Sequence, residues 1–182
     1  MDILLTAASM QQERVCSEVA GWGRRAAVVP LLLLIALANV ASAQGRDDVD
    51  ALLQRGEPPY GVVFEIAESD ESALAELLPR VHAAIERIRA RFPDTEFAVV
   101  SHGREEFALQ SQYQDKLAPI HQQVRSLVAE DVPVYVCATH AGWRGVSAED
   151  FPDYVNVAPT GPGQIQLYLE MDYELIFIQS SN

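Results

Sequence analysis

The chain has 182 residues, 49% of them hydrophobic, with 13 Lys and Arg against 26 Asp and Glu for a formal net charge of −13. Recognition of phosphate backbones depends on Lys and Arg neutralising phosphates, and Lys116 is the one lysine in the chain. Nucleic acid and anionic membrane are therefore excluded as partners.

Residues 26–43, "AAVVPLLLLIALANVASA", form an apolar run that follows Arg24 and Arg25 and closes on Ala41-Ser42-Ala43. The pattern predicts a signal peptide over residues 1–43, cut before Gln44, and a periplasmic or secreted product with no membrane attachment after cleavage. The charged stretch ahead of the run is long, which leaves open a start at Met10 and either the general or the twin-arginine export route. An uncleaved anchor is the alternative, since the run approaches the ~20 apolar residues that span a bilayer; Pro30 and the small-residue triplet favour cleavage. The leader holds three basic and three acidic side chains, so the mature chain keeps the full −13. What remains suits one domain with one core. Cys16 leaves with the leader, so Cys137 is the single thiol, and a lone thiol in an oxidising compartment is buried, paired between chains, or kept reactive.

Residues 44–59, "QGRDDVDALLQRGEPP", read as a polar, loosely packed N-terminal arm, and residues 60–182 as an α/β domain. "YGVVFEI" predicts a buried strand. "SDES" offers caps for a helix whose apolar face is Val81, Ala84, Ile85, Ile88 and Phe92, with Pro79 starting a second segment or marking a kink. "TEFAVVSHG" predicts the next strand, and residues 105–131 a helix broken near Pro119. "VPVYVC" is a third strand, "ATHAGWRG" a short helix closed by Gly145, and "SAED" a cap. "DYVNVAP" is a fourth strand, "GQIQLYLEM" a helix opened by the turn "TGPG", and "YELIFI" a fifth strand. Five short apolar strands alternating with helices predict a five-stranded, mostly parallel sheet flanked by helices on both faces.

Open α/β sheets bind ligands beyond the carboxyl ends of their strands, and Cys137 closes one strand where the next helix opens. Unpaired amides at a helix start favour a thiolate, the reactive form of sulfur. The competing reading is that "VYVC" ends on a buried core cysteine. His140 lies within helical reach of Cys137 and is suited to exchange a proton with it. Arg144 either orients an anionic substrate or complements the helix dipole. His102 and Gly103, at the end of "VVSHG", and Trp143 are the ligand-binding candidates of the same rim, with Trp143 also a candidate for packing or a subunit interface. A metal or haem centre built from Cys137, His140 and His102 is an alternative, but no metal or other cofactor is assigned. "REE" and "AED" read as solvated faces and caps.

In this order, "FAVVSHG", "VPVYVCATHAGWRG" and "IQLYLEMDYELIFI" resemble the DsrE/DsrF family of small sulfur-handling proteins, which share the YchN-like α/β fold. The resemblance runs from about Tyr60 to Ile178, and its most specific part is the eight-residue spacing from Cys137 to the Arg144-Gly145 turn. It implies that Cys137 carries sulfane sulfur as a persulfide between donor and acceptor proteins, a sulfurtransferase-type carrier at most. It also implies a homo-oligomer, a trimer or hexamer, with Trp143, Tyr113, Tyr168 and Phe151 as candidates for its interface. The alternative to carriage is a non-catalytic oligomeric binding module with a structural cysteine.

Overall fold

A computed structural model of the chain describes residues 44–180; the predicted leader lies outside the described residues. The strands are β1 (Gly61–Ile66), β2 (Glu96–Ser101), β3 (Val134–Cys137), β4 (Asn156–Ala158) and β5 (Tyr173–Phe177). The helices are α1 (Gln44–Leu53), α2 (Leu74–Arg91), α3 (Ala118–Ala129), α4 (Ala138–Trp143) and α5 (Gly161–Glu170). All pairings are parallel, in the order β4-β3-β2-β1-β5. No helix among the described residues is long and apolar enough to cross a membrane.

This order explains how the helices divide between the faces. From β1 to β4 each step moves the same way across the sheet, so right-handed crossovers put every connection on one face; the return from β4 to β5 reverses direction and puts α5 on the other. The period-2 alternation of the strands matches. Val62, Phe64, Val99 and Val136 pack with Leu77, Val81, Ile88, Val124 and Leu127 of α2 and α3 in the larger core. Val63, Ala98 and Val100 face Ile165 and Tyr168 of α5 in the smaller one.

Three expectations are corrected. The N-terminal arm is not loosely packed: residues 44–53 are helical, and Val49 and Leu52 are buried in the larger core. Arg87 pairs with Asp50, and Arg91 Nε donates to the Leu53 carbonyl at 3.1 Å, which ties the arm to α2. Pro79 neither starts a segment nor divides the helix, because α2 runs through it. It sits early in the helix, so the carbonyl deprived of a donor is that of Ala75, an exposed residue that water can satisfy.

The third correction matters for function. Residues 104–117 are not α-helical; two 3-10 segments, Arg104–Leu109 and Ser111–Tyr113, precede α3, whose first turn holds Pro119. Glu105 and Glu106 are not solvated: both are completely buried, with Phe107, Ala108 and Leu109. "AED", by contrast, behaves as a cap, with Ser147 and Asp150 forming a reciprocal capping box. Phe151 and Tyr168, suggested for an interface, are core residues, whereas Trp143 is 78% exposed.

Candidate functional site

The site assembles at the carboxyl ends of β2 and β3. Cys137 pairs with Ala158 as the last residue of β3, keeps extended backbone angles, and serves as the N-cap of α4. Its Sγ accepts the backbone N–H of His140 at 3.3 Å, one of the amides that a helix start leaves without an internal partner. The other end of α4 closes with the Val146 and Gly145 amides bonded to the Ala141 and Gly142 carbonyls, and Gly145 holds the positive φ of 73° that this turn demands. The sulfur is nevertheless enclosed: Cys137 is only 5% exposed, so the expected junction of strand and helix is present without an open thiol.

The enclosure is polar and aromatic. The Cys137 N–H donates to Glu106 Oε2 at 2.8 Å, and Oε1 of the same carboxyl lies 2.9 Å from Nδ1 of His140. Burial pushes the Glu106 carboxyl up to about 8; the Cys137 amide opposes this and the neighbouring Glu105 adds to it. The His140 ring packs between Phe107, with centroids 5.2 Å apart, and the edge of Trp143, 5.7 Å away. One layer further out, the Arg144 guanidinium lies over Phe107 at 4.4 Å. Arg144 Nη1 also donates to Glu71 Oε1 at 2.8 Å, and Arg104 Nη2 reaches the same oxygen at 3.0 Å. The hydrogen bonds from Arg144 and then Arg104 hold the Glu71 carboxyl below its ordinary range. Arg144 is thus the C-cap of α4, tied to a carboxylate.

His102 follows directly on β2, whose Ser101 pairs with Val136, so it stands next to Cys137 in the register. Its ring does not join the sulfur: Nε2 lies 2.7 Å from Glu65 Oε1 on β1, and the imidazole rests against Gly161 at the start of α5. Gly103 is a packing position, because a Cβ there would collide with the Glu68 backbone and the Glu105 carboxyl. Among the described residues no group of three or more His, Cys, Asp or Glu is placed to hold a metal ion. The Cys137, His140 and His102 centre is not assembled, since the two histidines turn to different glutamates.

Glu106 is the residue that reading the sequence missed. The available signal was weak: an acidic residue on an apolar segment, followed by Phe107, Ala108 and Leu109.

A family model described as the DsrE/DsrF-like family matches residues 60–178. The chain belongs to this family. The family is generally linked to sulfur relay, and the match covers both carboxyl-end histidines, Glu106 and Cys137. No curated protein matches the chain. Among solved structures, a protein of unknown function, MTH1491 from Methanobacterium thermoautotrophicum, superposes with a TM-score of 0.51 at 24% identity. The alignment covers 65% of this chain and 98% of that one, a likeness of fold.

Proposed function

We propose that this DsrE/DsrF-like protein carries sulfane sulfur as a persulfide on Cys137. The observation that carries the reading is the setting of Cys137: its sulfur accepts a helix-start amide, and its backbone N–H donates to a buried carboxyl group that also meets an imidazole. In the loading step the Cys137 thiolate attacks the outer sulfur of a donor persulfide, R–S–SH. The Sγ–S bond forms, the donor S–S bond breaks, the donor leaves as RS⁻, and the hydrogen stays on the transferred sulfur. An acceptor thiolate then attacks that terminal sulfur and releases Cys137 as a thiolate. Because the cysteine is 5% exposed, loading requires the residues packed around it to move. Enclosure also suits the carrier, since a persulfide shielded between donor and acceptor is protected from oxidation.

The reading extends to an exported protein that assembles with copies of itself and exchanges sulfur with donor and acceptor proteins. Support comes from the leader pattern of residues 1–43 and from the exposed Trp143, Leu167, Met171 and Phe177.

The test is intact-mass analysis of reduced protein after incubation with polysulfide. The expected result is an adduct of about 32 Da, one sulfur atom, that Cys137→Ser abolishes. A wild-type protein that gains no mass rules the carrier out. The burial of Cys137 favours a second reading, a structural cysteine in a binding module. Under that reading a thiol probe labels the native protein as slowly as global unfolding allows, and polysulfide leaves no adduct.

A further inference from the structure

The 3-10 segment after β2 sets two adjacent carboxyl groups beneath the rim, and their partners differ in kind. Glu105 meets fixed donors only: Glu68 N–H at 2.7 Å, Ser101 Oγ at 2.8 Å and Gly103 N–H at 3.0 Å. Glu106 meets one fixed donor, the Cys137 N–H, and one group whose protonation can change, Nδ1 of His140. We infer that Glu106 is a positioning residue of the sulfur site that also holds a proton: it fixes the Cys137 backbone and sets which ring nitrogen of His140 carries hydrogen. This inference rests on Cys137 as the sulfur carrier and concerns the control of that same site.

The hydrogen bonds determine the proton balance. With Glu106 neutral, its O–H donates to Nδ1, Oε2 accepts the Cys137 N–H, and the imidazole carries its hydrogen on Nε2. With Glu106 ionised and the imidazole neutral, Nδ1–H donates to Oε1, and the pair has lost one proton and gained one negative charge. Both states keep every hydrogen bond, so the change requires no rearrangement of the backbone. When Cys137 is a thiol and the pair is negative, the proton that leaves sulfur can be taken up by the pair, and the site keeps one negative charge in all. The pair therefore admits a thiolate beside it when neutral and opposes one when ionised.

The other groups around Glu106 do not supply this proton. Burial also raises the Glu105 carboxyl on the same segment against its three donors, but its partners are Glu68, Ser101 and Gly103 rather than His140; Cys137 contributes its amide from β3, and Arg144 over Phe107 is paired with Glu71. Burial pushes Glu106 up to about 8, so the neutral state is the populated one at neutral pH.

The experiment follows the His140 ring nitrogens by 15N NMR from acid to alkaline pH, alongside the rate of Cys137 alkylation by iodoacetamide. Glu106→Gln serves as the matched variant, because an amide can accept the Cys137 N–H and donate to Nδ1 yet has no titrating proton. The wild type is expected to move from Nε2–H to Nδ1–H with a midpoint near 8, and its alkylation rate, which rises with the thiolate fraction, to rise at higher pH than in Glu106→Gln. In Glu106→Gln the tautomer change disappears and the alkylation rise moves to lower pH while the thermal midpoint stays near wild type; in Glu105→Gln the tautomer change remains. A wild-type His140 that keeps one tautomer throughout overturns the inference without recourse to any variant, as does a tautomer change that survives in Glu106→Gln. Neither readout uses a sulfur donor, so a failed polysulfide adduct with the tautomer change present removes the carrier and leaves the proton coupling. The reverse pattern removes the coupling and leaves the carrier.

Discussion

His140 and His102 each meet a glutamate at the carboxyl ends of the strands, at 2.9 Å through Nδ1 and 2.7 Å through Nε2 respectively. The two pairs look alike in composition and in distance, and they stand beside neighbouring strands. They differ in what else the glutamate holds. Glu65 projects from β1 toward the start of α5 and keeps some exposure, whereas Glu106 is fully buried and also receives the Cys137 backbone amide. A histidine and a carboxylate at a sheet rim are thus not in themselves a site. The bond to the Cys137 backbone is what distinguishes the Glu106 pair.

The comparison can be broken most severely through pH. Glu106 is raised in the folded chain from 4.5 to about 8, so the native state holds the extra proton across that window. Its contribution to stability is complete below 4.5 and is lost as pH rises through about 8, a change on the order of a few kcal/mol. Denaturant midpoints measured through this window should fall in the wild type and in Glu65→Gln. In Glu106→Gln the fall should be visibly smaller, and an unchanged slope there would equate the two pairs.

Truncation gives the next largest difference. Glu106→Ala leaves the Cys137 N–H and the His140 ring without their partner inside the protein, at a cost of roughly 1–3 kcal/mol by chemical denaturation. Glu65→Ala, whose partner has access to water, should cost under about 1 kcal/mol. Equal losses would place both pairs in the same structural role. Gly161→Ala sharpens the comparison from the other side, since the new methyl group collides with His102 and must displace its ring. The expected cost is about 1 kcal/mol, with the His102 resonances shifted, the His140 resonances unmoved and the polysulfide adduct unchanged.

Much of the frame was legible from the residues. "YGVVFEI", "FAVVS", "VYVC" and "YELIF" are apolar runs of strand length bounded by turn residues, and each became a strand of the parallel sheet. Thr160 and Ser147 announced helix starts through short-range hydrogen bonds, which sequence spacing records well. The junction at Cys137 was legible for the same reason. The acid beneath it was not, because Glu106 meets its partners 31 and 34 residues away, and an acidic side chain looks solvated until those partners are known. The burial of Cys137 escaped likewise, since its neighbours Glu106 and Phe107, the latter packed on His140, come from a distant segment. α1 was misread because seven polar or small residues mask three apolar ones, and burial of Val49 and Leu52 outweighs that composition.

The strand order has a kinetic consequence. Among the described strands the earliest lies beside the latest, β1 against β5, so an incompletely synthesised chain leaves β1 as an unpaired edge and one sheet face bare, because α5 also arrives late. Such long-range closure makes for slow, all-at-once folding in which no amino-terminal fragment is expected to be stable alone. The pocket around Cys137, though built from residues in the middle of the sequence, then gains its final rigidity only when the last segment docks.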